Sequence, residues 1–427
     1  MNLIRSYQGR FLDGNQRFRY FGGNTYPLIQ DNWTDDEYDN FFKYCRKWNR
    51  TVVRIWCFNK SGQPTNSTGY FRYQSGGSLV WREATFVTLD RVMNKARKYG
   101  IRLILVMADN WPEFSDWGHK QQYCKWSNSI HGTSYDSYNY GADFHLDSNM
   151  KTWYKEFLSK VATRVNTVNG LTYSQDPIIF SIELMNEARF VGGTDTNPST
   201  VNSYRLGVLT AWYTEMAAYA KSVFPNHMVG TGSQAQFYDY VADDPFHNGT
   251  YYGGDYTIQH QIPNIDYFDF HIYPWNDPPG YALRAFGKYL GYSGVTKAGF
   301  EAQIAHFVNL AKINNKPVKF GEIGLEKGNT VATAIPTYPR SDFWDYFLEF
   351  WYTAKDADGG EPWHISTAPF DDNNYNEKLD GPHTGGNANG NLNDDDTLLL
   401  KVGAAYFPRW HKVIRSTSNG WSKVPRL

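Results

Sequence analysis

A chain of 427 residues with a net charge of −1 carries no field to draw in a phosphate backbone or an anionic membrane, so nucleic acid and lipid are poor partners for it. No apolar run approaches the ~20 residues of a membrane span. Aromatic residues reach 17%, with 32 Tyr against 27 Phe and 15 Trp besides; rings with polar edges suit sugar binding, in lectins as much as in enzymes.

Along the chain, β-rich apolar stretches alternate with helix-patterned ones. Residues 1–9 lack the apolar stretch of a signal peptide, which points to a cytoplasmic protein or to a mature secreted form with an added Met. Strands are expected near 18–25, 51–58, 101–108, 178–186, 227–232, 266–273, 317–322 and 361–366. Phe86, Leu89, Met93 and Ala96 recur at steps of three and four and predict a helix. Asp147 opens another, with Met150, Trp153, Tyr154, Phe157, Leu158 and Val161 on one face. Further helices are expected over 203–222, 298–313 and 341–354, the last behind Ser341 and Asp342 as a cap.

Eight alternating units predict an α/β fold, a single (β/α)8 TIM barrel domain over 1–427, with its reactive groups at the C-terminal strand ends. A doubly wound sheet is the runner-up, but no glycine-rich nucleotide loop follows an early strand. The long connections 59–82, 109–146, 188–203, 233–264 and 371–393 all follow strands, so they belong to one face and shape a cleft. Cys45, Cys57 and Cys124 show no CxxC or Cys/His spacing; they read as buried thiols, and neither metal nor cofactor is expected.

Two carboxylates stand out by placement. Glu187 closes the apolar run 178–187 and Glu322 closes 317–322. A pair of acids at strand ends of a barrel is what glycosidic cleavage needs, one to protonate the leaving oxygen and one to attack or to activate water. Asn186 can hydrogen-bond a hydroxyl of the reacting ring. Arg54 is a charge inside an apolar strand and requires partners; a site carboxylate is one reading, a structural ion pair the other, and both can hold. His271 and Tyr273, in FHIYPW (270–275), point to the same side of a strand. Trp363, Trp111 and Trp275 lie in or just past strand ends, as stacking platforms or as core.

The order of the motifs resembles the β-mannanases of glycoside hydrolase family 5, especially the branch of fungal and plant enzymes. It runs GGNTY at 22–26, TVVRIWCFN at 51–59, DNW at 109–111, QY at 122–123 with Trp126, and DSNMK at 147–151. RVNTV at 164–168, DPIIF at 176–180, ELMNEAR at 183–189, PNHMV at 225–229, QIPNID at 261–266, HIYP at 271–274 and KPVKFGE at 316–322 follow. The resemblance implies a retaining mechanism with Glu187 as acid/base and Glu322 as nucleophile, and Arg54, Asn186, His271, Tyr273 and Trp363 around the reacting sugar. It implies that Arg189 contacts leaving-side sugars, that a β-mannan or mannooligosaccharide is the partner, and that the protein is secreted. To donate a proton at neutral pH, Glu187 is expected to have a raised pKa.

Four positions depart from that pattern: Asp109 for the usual Asn, Pro27 for an aromatic, Ala188 for Pro and Ile323 for Phe. They leave the two Glu untouched and bear on substrate preference. An exo-acting β-mannosidase or another β-glycan hydrolase on the same machinery is the nearest alternative. A carbohydrate-binding barrel without catalysis is the alternative from another class.

Overall fold

The computed structural model describes residues 1–25, 28–29, 33–47, 49–58, 71–111, 119–136, 141–190, 203–237, 249–272, 297–323, 347–362 and 365. Eight parallel strands form its centre: β1 (Phe21–Thr25), β2 (Arg50–Trp56), β3 (Arg102–Val106), β4 (Ile179–Glu183), β5 (Met228–Gly230), β6 (Phe268–Ile272), β7 (Val318–Ile323) and β8 (Gly359–Gly360). The first five pair in chain order, and the last three likewise. Isolated backbone hydrogen bonds close the two seams. Asp266 N–H donates to the Val229 carbonyl (2.8 Å), while Asn24 N–H donates to the Pro362 carbonyl (3.0 Å) and Ile365 N–H to that of Asn24 (2.8 Å).

β1, β3, β4, β6 and β7 are buried along their whole length, because a barrel strand has side-chain layers inside and helices outside. That is why the strand segments read as nearly continuous apolar runs. β8 is the exception: its ladder lies at Gly359–Gly360, ahead of the expected 361–366. Two glycines carry no strand propensity, so the apolar residues after them drew the expectation downstream.

Helices α1 (Asp35–Lys47), α2 (Glu83–Lys98), α3 (Lys120–His131), α4 (Ser148–Thr163), α5 (Ser203–Val223) and α6 (Lys297–Ile313) complete the described units. α4 starts where Asp147 predicts it, with the Asp147 carboxylate accepting from Met150 N–H. α1 and α3 are additions to the sequence reading; α1 buries Tyr38, Phe41, Phe42, Tyr44 and Cys45, an aromatic stripe of modest helix propensity. In the segment 341–354, residues 347–349 are α-helical and pass into a π-helical turn at Phe350–Ala354; Ser341 and Asp342 lie outside the described residues. Three of the long connections are partly ordered, by a hairpin (Arg72–Ser75 with Ser78–Trp81), by α3, and by short helices at Gly249–Tyr252 and Tyr256–His260. The connection 371–393 lies outside the described residues.

A small N-terminal hairpin, Ile4–Tyr7 against Arg10–Asp13, plugs the N-terminal end of the barrel. Its Phe11 is fully buried among Tyr20, Val52, Ile104, Phe180, Met228 and Tyr267, meeting the Phe180 ring edge-on at 5.1 Å. Burying that ring is worth about 2–3 kcal/mol, and the hairpin covers the end of the barrel opposite to the C-terminal strand ends. The three cysteines are buried free thiols. Among the described residues no helix is long and apolar enough to cross a membrane.

Candidate active site

Past Glu183 the β4 chain keeps its neighbours' hydrogen bonds. Leu184 N–H donates to the Gly230 carbonyl (3.1 Å), Asn186 N–H to that of Ala108 (2.8 Å) and Glu187 N–H to that of Gly232 (2.7 Å). The last bond holds Glu187 at φ 49°, a left-handed conformation that non-glycine residues rarely adopt. Gly232 is left-handed too (φ 76°), and a Cβ there would stand 2.4 Å from the Met185 carbonyl oxygen, so a side chain would push this anchor away. Glu187 is thus aimed by its backbone before any side-chain contact acts.

Glu322 arrives from β7, where His271 of β6 stands in register with it after a bulge between Phe270 and His271. A Cβ on Gly321 would lie 2.6 Å from His271 Nε2, which leaves glycine as the residue that admits the imidazole. One carboxylate oxygen of Glu187, one of Glu322 and a ring nitrogen of His271 all lie within 4.8 Å of one another. His271 Nδ1 is 2.7 Å from Glu187 Oε1 and 3.5 Å from Glu322 Oε1. Both carboxylates are about 95% buried, with exposures of 5% and 4%.

Arg54 serves both readings given to it. Its Nε donates to Glu183 Oε2 (2.6 Å), Nη1 to Glu322 Oε1 (2.8 Å) and to Asn24 Oδ1 (3.0 Å), and Nη2 to Asn186 Oδ1 (2.8 Å). Burial works against its charge, but Glu183 and Glu322 more than compensate, so it stays ionised. Below it, Lys319 Nζ bridges Glu183 Oε1 and Glu361 Oε2 at 2.9 Å each. Two cations therefore face three buried carboxyls. The imbalance falls on Glu361, whose pKa burial raises despite Lys319, while burial fails to lift Glu183 against Arg54 and Lys319. Glu183, Lys319 and Glu361 were missed as site residues; a charge within an apolar strand, the signal that singled out Arg54, also marks Glu183 and Lys319.

Around Glu187 the neighbours are donors. Trp111 Nε1–H reaches its Oε2 at 2.6 Å. The Arg189 guanidinium lies between rings, 4.4 Å from the centroid of Trp111 and 4.2 Å from that of Tyr252, and donates from Nε to Gln234 Oε1 (3.1 Å). Burial pushes the Glu187 carboxyl up, but the hydrogen bond and charge of His271, the charge of Arg189 and the Trp111 indole together hold it below the ordinary carboxylate value. The shift thus runs opposite to the expected raised pKa, because these neighbours outweigh the desolvation of Glu187. Tyr273, Trp275 and Trp363 lie outside the described residues, so their placement beside the pair is not described.

Asn186 closes the ring of contacts, its Nδ2 donating to Asp109 Oδ1 at 3.0 Å. Asp109 is fully buried, and desolvation lifts its pKa to about 7. Glu187, Glu322 and His271 are close enough to share a cation, but the guanidinium on Glu322 already supplies positive charge there and would repel one. Two carboxyls at this spacing, one clamped by a guanidinium and one ringed by exchangeable donors, can divide attack and proton transfer between them.

Residues 32–369 match the family described as GH family 5 beta-mannosidase-like. The putative mannan endo-1,4-beta-mannosidase 5 of Oryza sativa subsp. japonica is 31% identical over 334 residues, 76% of this chain and 61% of the rice protein, so the chain spans less than two thirds of that relative. Mannan endo-1,4-beta-mannosidase 4 of Solanum lycopersicum is 29% identical, over 79% of this chain and 75% of the tomato protein. The solved structure of the endo-1,4-beta-mannanase from Rhizomucor miehei superposes with a TM-score of 0.68 at 24% identity, covering 93% of this chain and 99% of that one. That likeness is one of fold, the (β/α)8 barrel.

Proposed function

Because the chain belongs to the GH family 5 β-mannosidase-like family, we propose that it is a retaining glycosidase that cleaves β-1,4-mannosidic bonds in mannan, glucomannan or mannooligosaccharides. The observation that carries this is the approach of the two carboxylates to within 4.8 Å. Retaining enzymes hold their carboxyl groups roughly 5–5.5 Å apart, whereas inverting ones leave roughly 6.5–9.5 Å for a water.

In this reading Glu322, kept ionised by Arg54, attacks the anomeric carbon through one oxygen. The bond to the glycosidic oxygen breaks, and that oxygen takes the proton of Glu187 as it leaves. The glycosyl ester on Glu322 is then opened by water, whose proton returns to Glu187 while Glu322 regains its charge. Glu187 acquires its proton as substrate fills the site: displaced water and the nearby charge of Glu322 then raise a carboxyl that the free site holds low. Arg189, flanked by Trp111 and Tyr252, forms the leaving-side wall. A polymeric substrate outside the cell makes export part of the same proposal.

The test is hydrolysis of mannohexaose and ivory-nut mannan beside cellohexaose, with Glu187→Gln and Glu322→Gln as controls. Mixed mannobiose, mannotriose and mannotetraose from the hexaose support internal cleavage of β-mannan. Mannose alone turns the reading to exo action. Preference for cellohexaose, or full activity in either variant, overturns it.

A further inference from the structure

We propose that Lys319 is a positioning residue for the nucleophile: by holding Glu183 from below, it frees the guanidinium of Arg54 to serve Glu322. The inference rests on the glycosidase reading above and concerns how that site keeps its charge. Arg54 has one positive charge and donates to two carboxylates, Glu183 Oε2 through Nε (2.6 Å) and Glu322 Oε1 through Nη1 (2.8 Å). Glu183 is fully buried, so unless a second cation neutralises it, it competes with Glu322 for that charge.

Lys319 is that cation, fully buried on β7 in the same strand as Glu322. Its Nζ meets Glu183 Oε1 at 2.9 Å, the oxygen that Arg54 leaves, and Tyr267 O–H donates to the same oxygen at 3.1 Å. Each oxygen of Glu183 thus has its own cation. Lys319 also meets Glu361 Oε2 at 2.9 Å, and Tyr20 O–H donates to the Oε1 of that residue. The aromatic layer of Phe11, Tyr20, Phe180 and Tyr267 closes off the N-terminal side, so water is a poor substitute for the ammonium. Gly321 leaves it room: a Cβ there would stand 3.3 Å from Lys319 Nζ.

The charges around the two residues give the consequence. Lys319 faces Glu183 from β4, Glu361 from beyond β8 and Asp269 from β6, which outweigh its burial and the charge of Arg54 and keep it an ammonium ion. Glu322 faces Arg54 from β2 and His271 from β6, with Glu187 close to the same ring. With both cations present, one of the three acids Glu183, Glu322 and Glu361 can be neutral while the nucleophile keeps its partner; burial raises Glu361 and marks it as that acid. Without Lys319, one guanidinium faces Glu183 and Glu322 together, and Glu322 becomes harder to ionise. The acid limb of kcat/KM, which reports that ionisation in the free enzyme, then moves to higher pH. Removing the charge of Glu361 acts in the opposite sense, because Lys319 is left to Glu183.

The test is the pH profile of kcat/KM on mannohexaose. Lys319→Met is expected to raise the acid limb by about one pH unit. The double variant Lys319→Met/Glu361→Leu exchanges the buried pair for apolar side chains of similar size, a change that folds tolerate, and is expected to show the same rise. It answers the question where the single variant does not fold. Glu361→Gln is expected to leave the limb at the wild-type pH or to lower it. A wild-type limb in either lysine variant overturns the inference, as does any rise in Glu361→Gln, the mark of a packing role shared by the pair. A wild-type protein that turns over no β-mannoside instead overturns the activity reading, and this inference with it.

Discussion

Among the described residues, two histidines sit 2.7 Å from a carboxylate, and their surroundings separate a structural pair from a reactive one. His260 is sealed. Its Nδ1 meets the Tyr256 carbonyl (2.6 Å), and its Nε2 meets both Asp269 Oδ1 and the Thr231 hydroxyl. Hydroxyl and carboxylate meet the same nitrogen, so the ring cannot relay a proton between them as a hydrolytic triad does. Asp269 Oδ2 also accepts Gly232 N–H (3.0 Å), and the Gly232 carbonyl anchors Glu187, so this cluster supports the site from behind. His271 stands at the barrel mouth between two acids, and its Nε2 has no partner among the described residues. A fully satisfied network rigidifies; one with unspent donors can exchange protons with a ligand.

The sharpest way to break that contrast is to remove one carboxylate from each cluster. Glu322→Ala is expected to cost about 10⁴-fold or more in kcat, with mannotriose binding retained by calorimetry. Asp269→Asn is expected to do the reverse, lowering stability by about 3–5 kcal/mol while the folded fraction keeps kcat within about tenfold. Its folded pKa lies below the ordinary 3.8, so the stability it lends is present above that value and lost as pH falls through the folded one. Urea melts from pH 7 down to 2 should therefore show a shallower acid loss in Asp269→Asn than in wild type. An unstable Glu322→Ala or an inactive but stable Asp269→Asn would erase the distinction.

A subtler effect concerns Glu187. The free site holds its pKa down, and catalysis requires the proton, so the basic limb of kcat is expected at higher pH than that of kcat/KM. His271→Gln removes the strongest of the lowering contacts and should move the kcat/KM limb upward, narrowing the gap; coincident limbs in wild type would contradict the account. The smallest effect belongs to a residue of neither cluster. Asp147→Ala deletes the α4 cap, costing about 1 kcal/mol in denaturant melts with kcat unchanged.

Much of the fold was legible because barrel strands are buried on both sides and read as apolar runs, and because Asp147 marks a helix start. β8 was displaced because two glycines announce no strand, and α1 because aromatic residues favour helix weakly. At the site, Glu187 and Glu322 stood out by closing such runs. Glu183 and Lys319 did not, although a charge inside a buried strand has to be paired. The sign of the Glu187 shift was beyond the sequence: it depends on Trp111 and His271, from distant segments, and on the charge of Arg189 together outweighing desolvation.

Proton NMR of the first sugar released from mannohexaose, recorded before mutarotation, tests the pairing of Glu187 and Glu322 most directly. The β-anomer appearing first is the result expected of two carboxylates close enough to pass through a glycosyl ester. The α-anomer appearing first would mean that water, and not Glu322, attacks the sugar.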